Sequence, residues 1–557
     1  MKEEILKFWK GDAEDNEETL KKYSHDASIF EVRPELVLFP KDNEDVKNLV
    51  KWVKENKNKY TNLSITARCA GTCMSGGAIN ESIILDFSRY MNKLIRFEGN
   101  SITVQPGMFY RDFEKITLEK NMVLPCYTAS KNINAVGGMF GNNSAGERTL
   151  RYGKTEDYIL ETKVVFEDGN EYVVKSLNEE ELKNKIEKND FEGNLYKKLS
   201  KLIDDNDEEI RSAKPKVHKN SAGYTIWNVY DRKQSASMFD LNRLLVGSQG
   251  TLGIATEITF RLVETPKNTE LLVVFLRDMQ LVPAIVNKIL KYNPQTLESY
   301  DDKTFLLVLK YIWSFIKLLG FKNLFRLMWS FGPEIKMTLR NGFPKLILLI
   351  EFTGETPGEA KRSALNAIKD LQIIKDKIGI HLAKNEFEAN KYWTIRHEAF
   401  NLIRYHLKKM KSEPFIDDVI VKPEQLPEFF PALYKILDNY KDRMTFAVGG
   451  HSGDGNMHIY TLLDPKDSKL DEIIMKVSEE VYDLVVRLEG SITAEHNDGI
   501  IRTAYLDKMY NPNIISIFRE IKQIFDPMNI FNPGKKVPVE KGIGSKEYIK
   551  SHITKVK

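Results

Sequence analysis

Three glycine-rich stretches in the first half of the chain constrain it more than any other feature. The first, RCAGTCMSGG at residues 68–77, lies between the runs LSITA and SIILDF, where its backbone amides can cradle phosphate oxygens. It is neither a GxGxxG opening a helix nor a GxxxxGK[ST], so the Rossmann and Walker readings fail. The second, ASKNINAVGGMFGNNSAG at 129–146, is dense in glycine, alanine and serine, as expected where backbone passes close to a ligand. The third is GSQGTLG at 247–253. The first alone reads equally as a plain turn. Together they predict one long ligand touched at several points.

At 557 residues the chain is too long for one compact core, and two to four domains are expected. Residues 1–30 read as a helical arm, and Asp42-Asn43-Glu44 begin a helix within a mixed α+β unit over 31–265. Residues 266–485 alternate strands such as ELLVVFL and KLILLIEFTG with helices such as GEAKRSALNAIKDL, which predicts a second, α/β domain. A C-terminal segment over 486–557 carries the run FDPMNIFNPGKK. Lys and Arg total 82 against 79 acidic residues, a net charge of +3, so no global field recruits nucleic acid. Three cysteines, Cys69, Cys73 and Cys126, cannot form a secreted-type disulfide framework, and the charged start MKEEILKFWKGDAEDNEE lacks an apolar export core. A cytoplasmic protein is expected.

From PELVLFP through the three loops the order of segments resembles the FAD-binding domain of the vanillyl-alcohol oxidase superfamily, also called PCMH-type. The resemblance implies an α+β fold class: a PCMH-type FAD-binding domain of two subdomains, an α/β substrate (cap) domain, and a C-terminal segment returning to the flavin. It implies FAD contacts around the pyrophosphate from Arg68, Gly71, Thr72, Ser75, Gly76 and Gly77. Along the flavin ring it implies Pro125, Gly137, Gly138, Gly141, Asn142 and Ser144, with Gly253 and Ile254 from the third loop. The sequence departs from the family at Gln249, often glutamate, and at Cys69 and Ala70, usually glycines. Some members tether flavin through cysteine, and all three cysteines fall near these contacts; small buried thiols are the blander account.

The segment VGGHSGDGNMHIY at 448–460 can be read geometrically. A turn centred on Asp454-Gly455 pairs His451 with His458, whose Cβ atoms would lie roughly 5 Å apart and converge on one ion. The chain holds nine histidines, so the coincidence is informative, although a solvated hairpin face shows the same pattern. Glu495, in SITAEHNDG, is a candidate third ligand. Two imidazoles and a carboxylate suit a divalent catalytic metal such as zinc, manganese or iron. For His496 to reach the same pocket as Glu495 the backbone must break there, and Asn497-Asp498-Gly499 supplies a turn.

With the ending DPMNIFNPGK, these segments resemble the D-lactate, glycolate and D-2-hydroxyglutarate dehydrogenase group. GHxGDGNxH is matched at 450–458, and the Glu-His pair stands at 495–496, followed by Asn497 in place of the usual glycine. The resemblance implies that His451, His458 and Glu495 bind metal and that His496 is the base. A hydroxy acid loses hydride only as its hydroxyl proton leaves, so a metal to lower that pKa and a histidine to take the proton are the parts the reaction needs. Arg396, in YWTIR, looks like the family's Trp-x-x-Arg and offers two parallel donors to the substrate carboxylate; a salt-bridge arginine is the alternative. Asn456 is expected to reach the substrate or the metal shell, with Lys535 and Asn532 closing over the flavin.

Residues 303–331 are unusually apolar, with Lys303, Lys310 and Lys317 seven apart. They read either as an interfacial helix on anionic lipid, placing the protein peripherally on the cytoplasmic face of the membrane, or as helices packed on the second domain's sheet. The substrate expected is a small 2-hydroxy acid, and the electrons are expected to leave to an external acceptor such as a quinone, an electron-transfer flavoprotein or a cytochrome. Three rival readings are a non-redox flavoenzyme like alkylglycerone-phosphate synthase, whose multi-histidine run is lacking here, a flavin-binding electron-transfer subunit, and an oxidase that uses oxygen directly.

Overall fold

The computed structural model describes residues 1–231, 238–304, 306, 332, 342–374, 376–406 and 411–554. Apart from residues 303, 304 and 306, the lysine-striped segment 303–331 lies outside the described residues.

The first sheet has the order β1 (Asp12–Glu14), β2 (Leu36–Phe39), β4 (Ile83–Asp86), β3 (Ile65–Arg68). Strand β1 pairs antiparallel with β2, so residues 1–30 are not only helical: their acids Asp12 and Glu14 meet Arg89 at 2.7 and 2.6 Å and add an edge strand. The other three strands run parallel, and both faces are covered, which is why they read as unbroken apolar runs. Helix α1 (Asn43–Asn56) starts where the Asp42 carboxylate accepts the Asp45 N–H at 3.1 Å. Its Val46, Leu49, Val50 and Val53 recur at helical spacing and bury against Leu36, Leu38, Ile83 and Leu85. Strand β3 ends at Arg68, and the first glycine loop leaves from that carboxyl edge, where sheets of parallel strands hold their ligands.

A second, antiparallel sheet has the order β5 (Leu94–Glu98), β6 (Ser101–Val104), β9 (Ile254–Arg261), β7 (Ile159–Val165), β8 (Glu171–Lys175). The second glycine stretch includes helix α2 (Val136–Asn142), and the third loop feeds β9.

The second domain departs from the α/β expectation. Its sheet, in the order β13 (Ile378–Leu382), β10 (Asn268–Leu276), β12 (Leu346–Gly354), β11 (Thr296–Asp301), β14 (Met444–His451), β15 (Asn456–Leu463), is antiparallel at every pairing. Helices α3 (Val282–Leu290) and α4 (Pro357–Leu371) do connect strands, but a third strand is always inserted between the two that each helix joins. This split β-α-β arrangement turns strand and helix alternation into an antiparallel sheet. Helix α5 (Glu386–His406) packs Tyr392 and Ile395 on one face, against Leu271, Val273, Tyr300 and Leu349. That places α5 on the same side as Glu298, two residues before Tyr300. The chain then returns to the first sheet: Phe531 bridges Ile65, and Asn532 N–H donates to Ile65 O at 2.9 Å. Among the described residues no helix is long and apolar enough to cross a membrane.

Candidate functional site

One cavity of about 300 Å³ is lined both by the glycine loops and by the histidine hairpin. Of the residues expected to touch FAD, Arg68, Gly71, Thr72, Gly77, Gly137, Gly138, Gly141, Asn142, Ser144 and Gly253 line it. A Cβ on Gly138 would meet nothing within 4 Å, whereas one on Gly137 would strike Pro106 and Cys69 at 2.7 and 2.8 Å. Gly138 therefore leaves room for a ligand and Gly137 allows close packing, and a cavity walled by such residues fits FAD. Ser75, Gly76, Pro125, Ile254 and Asn532 do not line the cavity. Ser75 Oγ donates to His496 O at 3.1 Å, and Asn532 donates to Gly77 O and Gln249 O at 2.9 and 2.7 Å, so both brace loops from behind. The Arg68 guanidinium donates to His25 O and Ala78 O at 2.8 and 3.3 Å. Cys69 and Cys73 line the cavity and Cys126 does not; burial pushes all three thiols up, Cys126 to about 12.

The hairpin is two residues out of the expected register. His451 pairs with Asn456 and Gly449 with His458, because Ser452–Gly455 form a four-residue turn rather than a two-residue one. The turn is fixed from outside: Gly453 N–H donates to Leu297 O at 3.0 Å, and a Cβ on Gly455 would strike Val421 O at 1.9 Å. The two imidazoles nevertheless converge, with Nε2 atoms 3.3 Å apart, and Glu495 Oε1 lies 3.2 and 3.3 Å from them. Three atoms around one ion with bonds near 2.1 Å would be about 3.4 Å apart in a tetrahedral site.

Proton bookkeeping supports the fit. His458 Nδ1 faces Asp417 O at 3.1 Å and His451 Nδ1 faces the Glu298 carboxylate at 2.5 Å, so both Nδ1 atoms carry protons. Both neutral Nε2 atoms would then present lone pairs to each other and to a carboxylate oxygen. A cation resolves that conflict, and the backing of ligand histidines by carboxylate and carbonyl is the usual outer layer of a metal site. Charge agrees: the buried carboxylates Glu298, Asp417, Asp418, Asp454 and Glu495 outnumber the buried cations Lys219, Arg396 and Arg502 by two. Protons are drawn in instead. Burial opposes charge on His451, but Glu298 leads the attractions that push its pKa up to about 9. Burial likewise opposes charge on His496, and Asp418 and Asp417 push it up to about 9.

Glu495 and His496 enter one pocket because the chain wraps a carboxylate. The N–H groups of Ala494, Glu495 and His496 all donate to Asp418 Oδ2 at 2.8 Å, and Thr493 Oγ1 donates at 2.7 Å. The wrap ends at Asn497, whose φ of +69° is left-handed and tolerated by asparagine. Its side chain donates to Asn142 O and Gly247 O at 3.1 and 2.8 Å, a bridge between two flavin loops that the family's glycine lacks. Gln249 works similarly, donating to Asn142 Oδ1 at 3.1 Å and accepting from Gly499 N–H at 2.9 Å, a pairing that an ionised glutamate cannot make on the donor side. His496 Nδ1 faces Asp417 Oδ2 at 2.5 Å, and Asp417 is in turn held by Arg502. The His496 side chain is 24% exposed against 8% for His451 and His458, which leaves it the most open group of the cluster.

Arg396 lines the cavity, with Nε and Nη2 on Glu298 Oε2 at 3.2 and 3.1 Å and Nη1 donating to Tyr460 OH at 3.5 Å. Arg396 thus reaches the cavity wall while making a salt bridge that is buried rather than on the surface. Asn456 and Lys535 do not line the cavity. Asn456 spends its amide on Asp418 Oδ1 and Val419 O at 2.9 and 3.1 Å. Lys535 Nζ donates to Ile79 O at 2.9 Å, and burial pushes its pKa down to about 7. Glu298, Asp417, Asp418, Lys219 and Arg502 escaped the sequence reading. The one local signal was a pair of acids inside the apolar run FIDDVIV.

Comparison with known proteins agrees with this geometry. The family described as "FAD binding domain" matches residues 34–175, and "FAD linked oxidases, C-terminal domain" matches residues 265–536. A D-2-hydroxyglutarate dehydrogenase of Pseudomonas putida is 25% identical over 92% of this chain and 49% of its own length. The chain thus spans about half the length of that relative and of several other D-2-hydroxyglutarate dehydrogenases it matches. Glycolate oxidase subunit GlcD of Bacillus subtilis is 26% identical over 92% of this chain and 91% of its own, and a D-lactate dehydrogenase of Anaerostipes hadrus is 23% identical over 92% of both. Among solved structures, an alkyldihydroxyacetonephosphate synthase aligns with a TM-score of 0.63 at 15% identity, covering 95% of this chain and 84% of its own. p-Cresol methylhydroxylase aligns at 0.61 and 14%, covering 95% of both. Two successive domains, a cavity lined by the glycine loops and the fold of these neighbours converge: the chain belongs to the FAD-linked oxidases, with a PCMH-type FAD-binding domain followed by the family's C-terminal domain.

Proposed function

We propose that the protein is an FAD-dependent dehydrogenase that oxidises a small D-2-hydroxy acid to the 2-oxo acid. The observation that carries the reading is one cavity in which the acceptor cluster His451, His458 and Glu495, the open His496 and the cation Arg396 all meet the glycine loops. FAD along the glycine loops supplies the hydride acceptor, and a divalent ion on His451, His458 and Glu495 supplies a Lewis acid for the substrate hydroxyl. Arg396 binds the substrate carboxylate, its guanidinium oriented by Glu298 and Tyr460. With an ion bound in place of the protons drawn into the cluster, His496 would be neutral and takes the hydroxyl proton at Nε2. Asp417 fixes the ring by its Nδ1–H and stabilises the imidazolium, and Arg502 keeps Asp417 ionised.

The electrons leave to an external partner, which we take to be a quinone, an electron-transfer flavoprotein or a cytochrome, since three cysteines cannot hold a four-cysteine iron-sulfur cluster. We place the protein in the cytoplasm, with contact to a membrane through 303–331 tested by vesicle flotation. The test of the reaction is anaerobic bleaching of the bound flavin by a panel of D- and L-2-hydroxy acids. Reduction by a D-acid and not its L-enantiomer supports the reading. A bound flavin that no hydroxy acid reduces removes it and favours a non-redox role.

A further inference from the structure

Lys219 is fully buried, yet neither the hairpin nor the Glu-His pair in the sequence points to it. Its Nζ lies 3.1 Å from Glu495 Oε2, 3.3 Å from Asp454 Oδ2 and 3.5 Å from Asn456 Oδ1. Two buried carboxylates, Glu495 and Asp454, flank it and match an ammonium in both charge and hydrogen bonding. Glu495 is therefore divided: Oε1 faces both histidine Nε2 atoms, and Oε2 is held by an ammonium.

We propose that Lys219 is a positioning residue that restricts Glu495 to ligation through one oxygen, so that an ion held there would keep room for the substrate hydroxyl. This rests on the metal-assisted dehydrogenase reading. A carboxylate with both oxygens unencumbered readily chelates a divalent ion through both. Here the second oxygen is already engaged, so the protein contributes three ligand atoms, the number typical of a catalytic site that leaves room for substrate. The arrangement has an electrostatic cost, since an ammonium bonded to a ligand carboxylate repels the ion and weakens its binding. Asp454 offsets part of that charge and is itself held by His218, so the balance is set by residues that never touch the ion.

Tighter metal binding with slower chemistry is the signature that a merely structural lysine would not give. Lys219→Met removes the restraint but strands a buried carboxylate, so Lys219→Met/Asp454→Asn is made beside it to remove one charge of each sign. Zn(II) and Co(II) affinities are measured by competition with a chelator on the FAD-loaded protein, the Co(II) visible spectrum reports coordination number, and flavin reduction by the D-acid is followed anaerobically. The expected result is metal bound about tenfold more tightly, a weaker Co(II) visible band as coordination number rises, and flavin reduction slowed by about tenfold or more in the folded variant. Metal affinity that falls together with activity, or a Co(II) band that does not change, overturns the proposal while leaving the dehydrogenase reading intact. A wild-type protein that binds neither ion overturns this proposal and the metal part of that reading together, whereas flavin bleaching by a D-acid still decides the reaction.

Discussion

Two buried lysines, one beside the histidine cluster and one behind the first glycine loop, show how differently the two halves of the site are made. Lys219, on the histidine side, sits among carboxylates that raise its pKa in spite of burial, whereas Lys535, on the flavin side, meets carbonyl oxygens and is pushed down to about 7. The histidine half is built by charged side chains that hold one another, so its function is lost by taking atoms away. The flavin half is built by glycines, small residues and backbone, so its function is lost by adding atoms. A cofactor that arrives with its own chemistry needs space and donors, while proton and hydroxyl chemistry needs groups held in place.

The comparison is sharpened most by His496→Asn, which keeps a hydrogen-bonding side chain and removes the proton acceptor. Flavin reduction should slow by about 10²- to 10⁴-fold with flavin content unchanged; a loss below tenfold would take the base role from His496. Next is Asp418→Ala, which strands three backbone N–H groups and Thr493 around a vacant centre. Denaturant unfolding should show a loss of about 3–5 kcal/mol, and a loss under about 1 kcal/mol would mean that the wrap does not depend on its carboxylate.

The lysine contrast has its own pH test. An unfolded lysine keeps its proton up to about pH 10.4, whereas folded Lys535 releases it near 7, so between these values the unfolded state binds more protons and stability rises with pH. In the flavin-free protein the rise attributable to Lys535 should be on the order of 4 kcal/mol. Lys535→Met should flatten it, and an unchanged slope would contradict the assignment. The smallest effect is expected from Gly138→Val, whose new atoms point into open space. The apoprotein should melt within about 2 °C of wild type while FAD affinity falls at least about tenfold. A variant that binds FAD normally would break the claim that added atoms disable this half.

The same contrast explains what the sequence made legible. The flavin half was visible because glycine density is a local property, and α1 and its Asp42 cap followed from spacing alone. The histidine pair was visible too, although the register was misplaced by two, because the turn is shaped by Leu297 and Val421 rather than by Asp454-Gly455. The holders were hidden by distance along the chain. Glu298 meets His451 across 153 positions, Lys219 meets Glu495 across 276 and Arg502 meets Asp417 across 85, with no spacing rule to join them. Asn456 and Lys535 sit outside the cavity wall for the complementary reason, since no local rule separates a polar residue that lines a site from one that supports it within the same motif.

In the proposed reaction, proton removal assisted by a divalent ion on the histidine side accompanies hydride transfer on the flavin side. It is tested most directly by stopped-flow, anaerobic reduction of the FAD-loaded protein with a reactive D-2-hydroxy acid, before and after chelation and again after a divalent ion is restored. Chelation should slow reduction by about 10³-fold or more, with flavin still bound and the rate recovered with the ion. Reduction at an unchanged rate in demonstrably metal-free protein would contradict it.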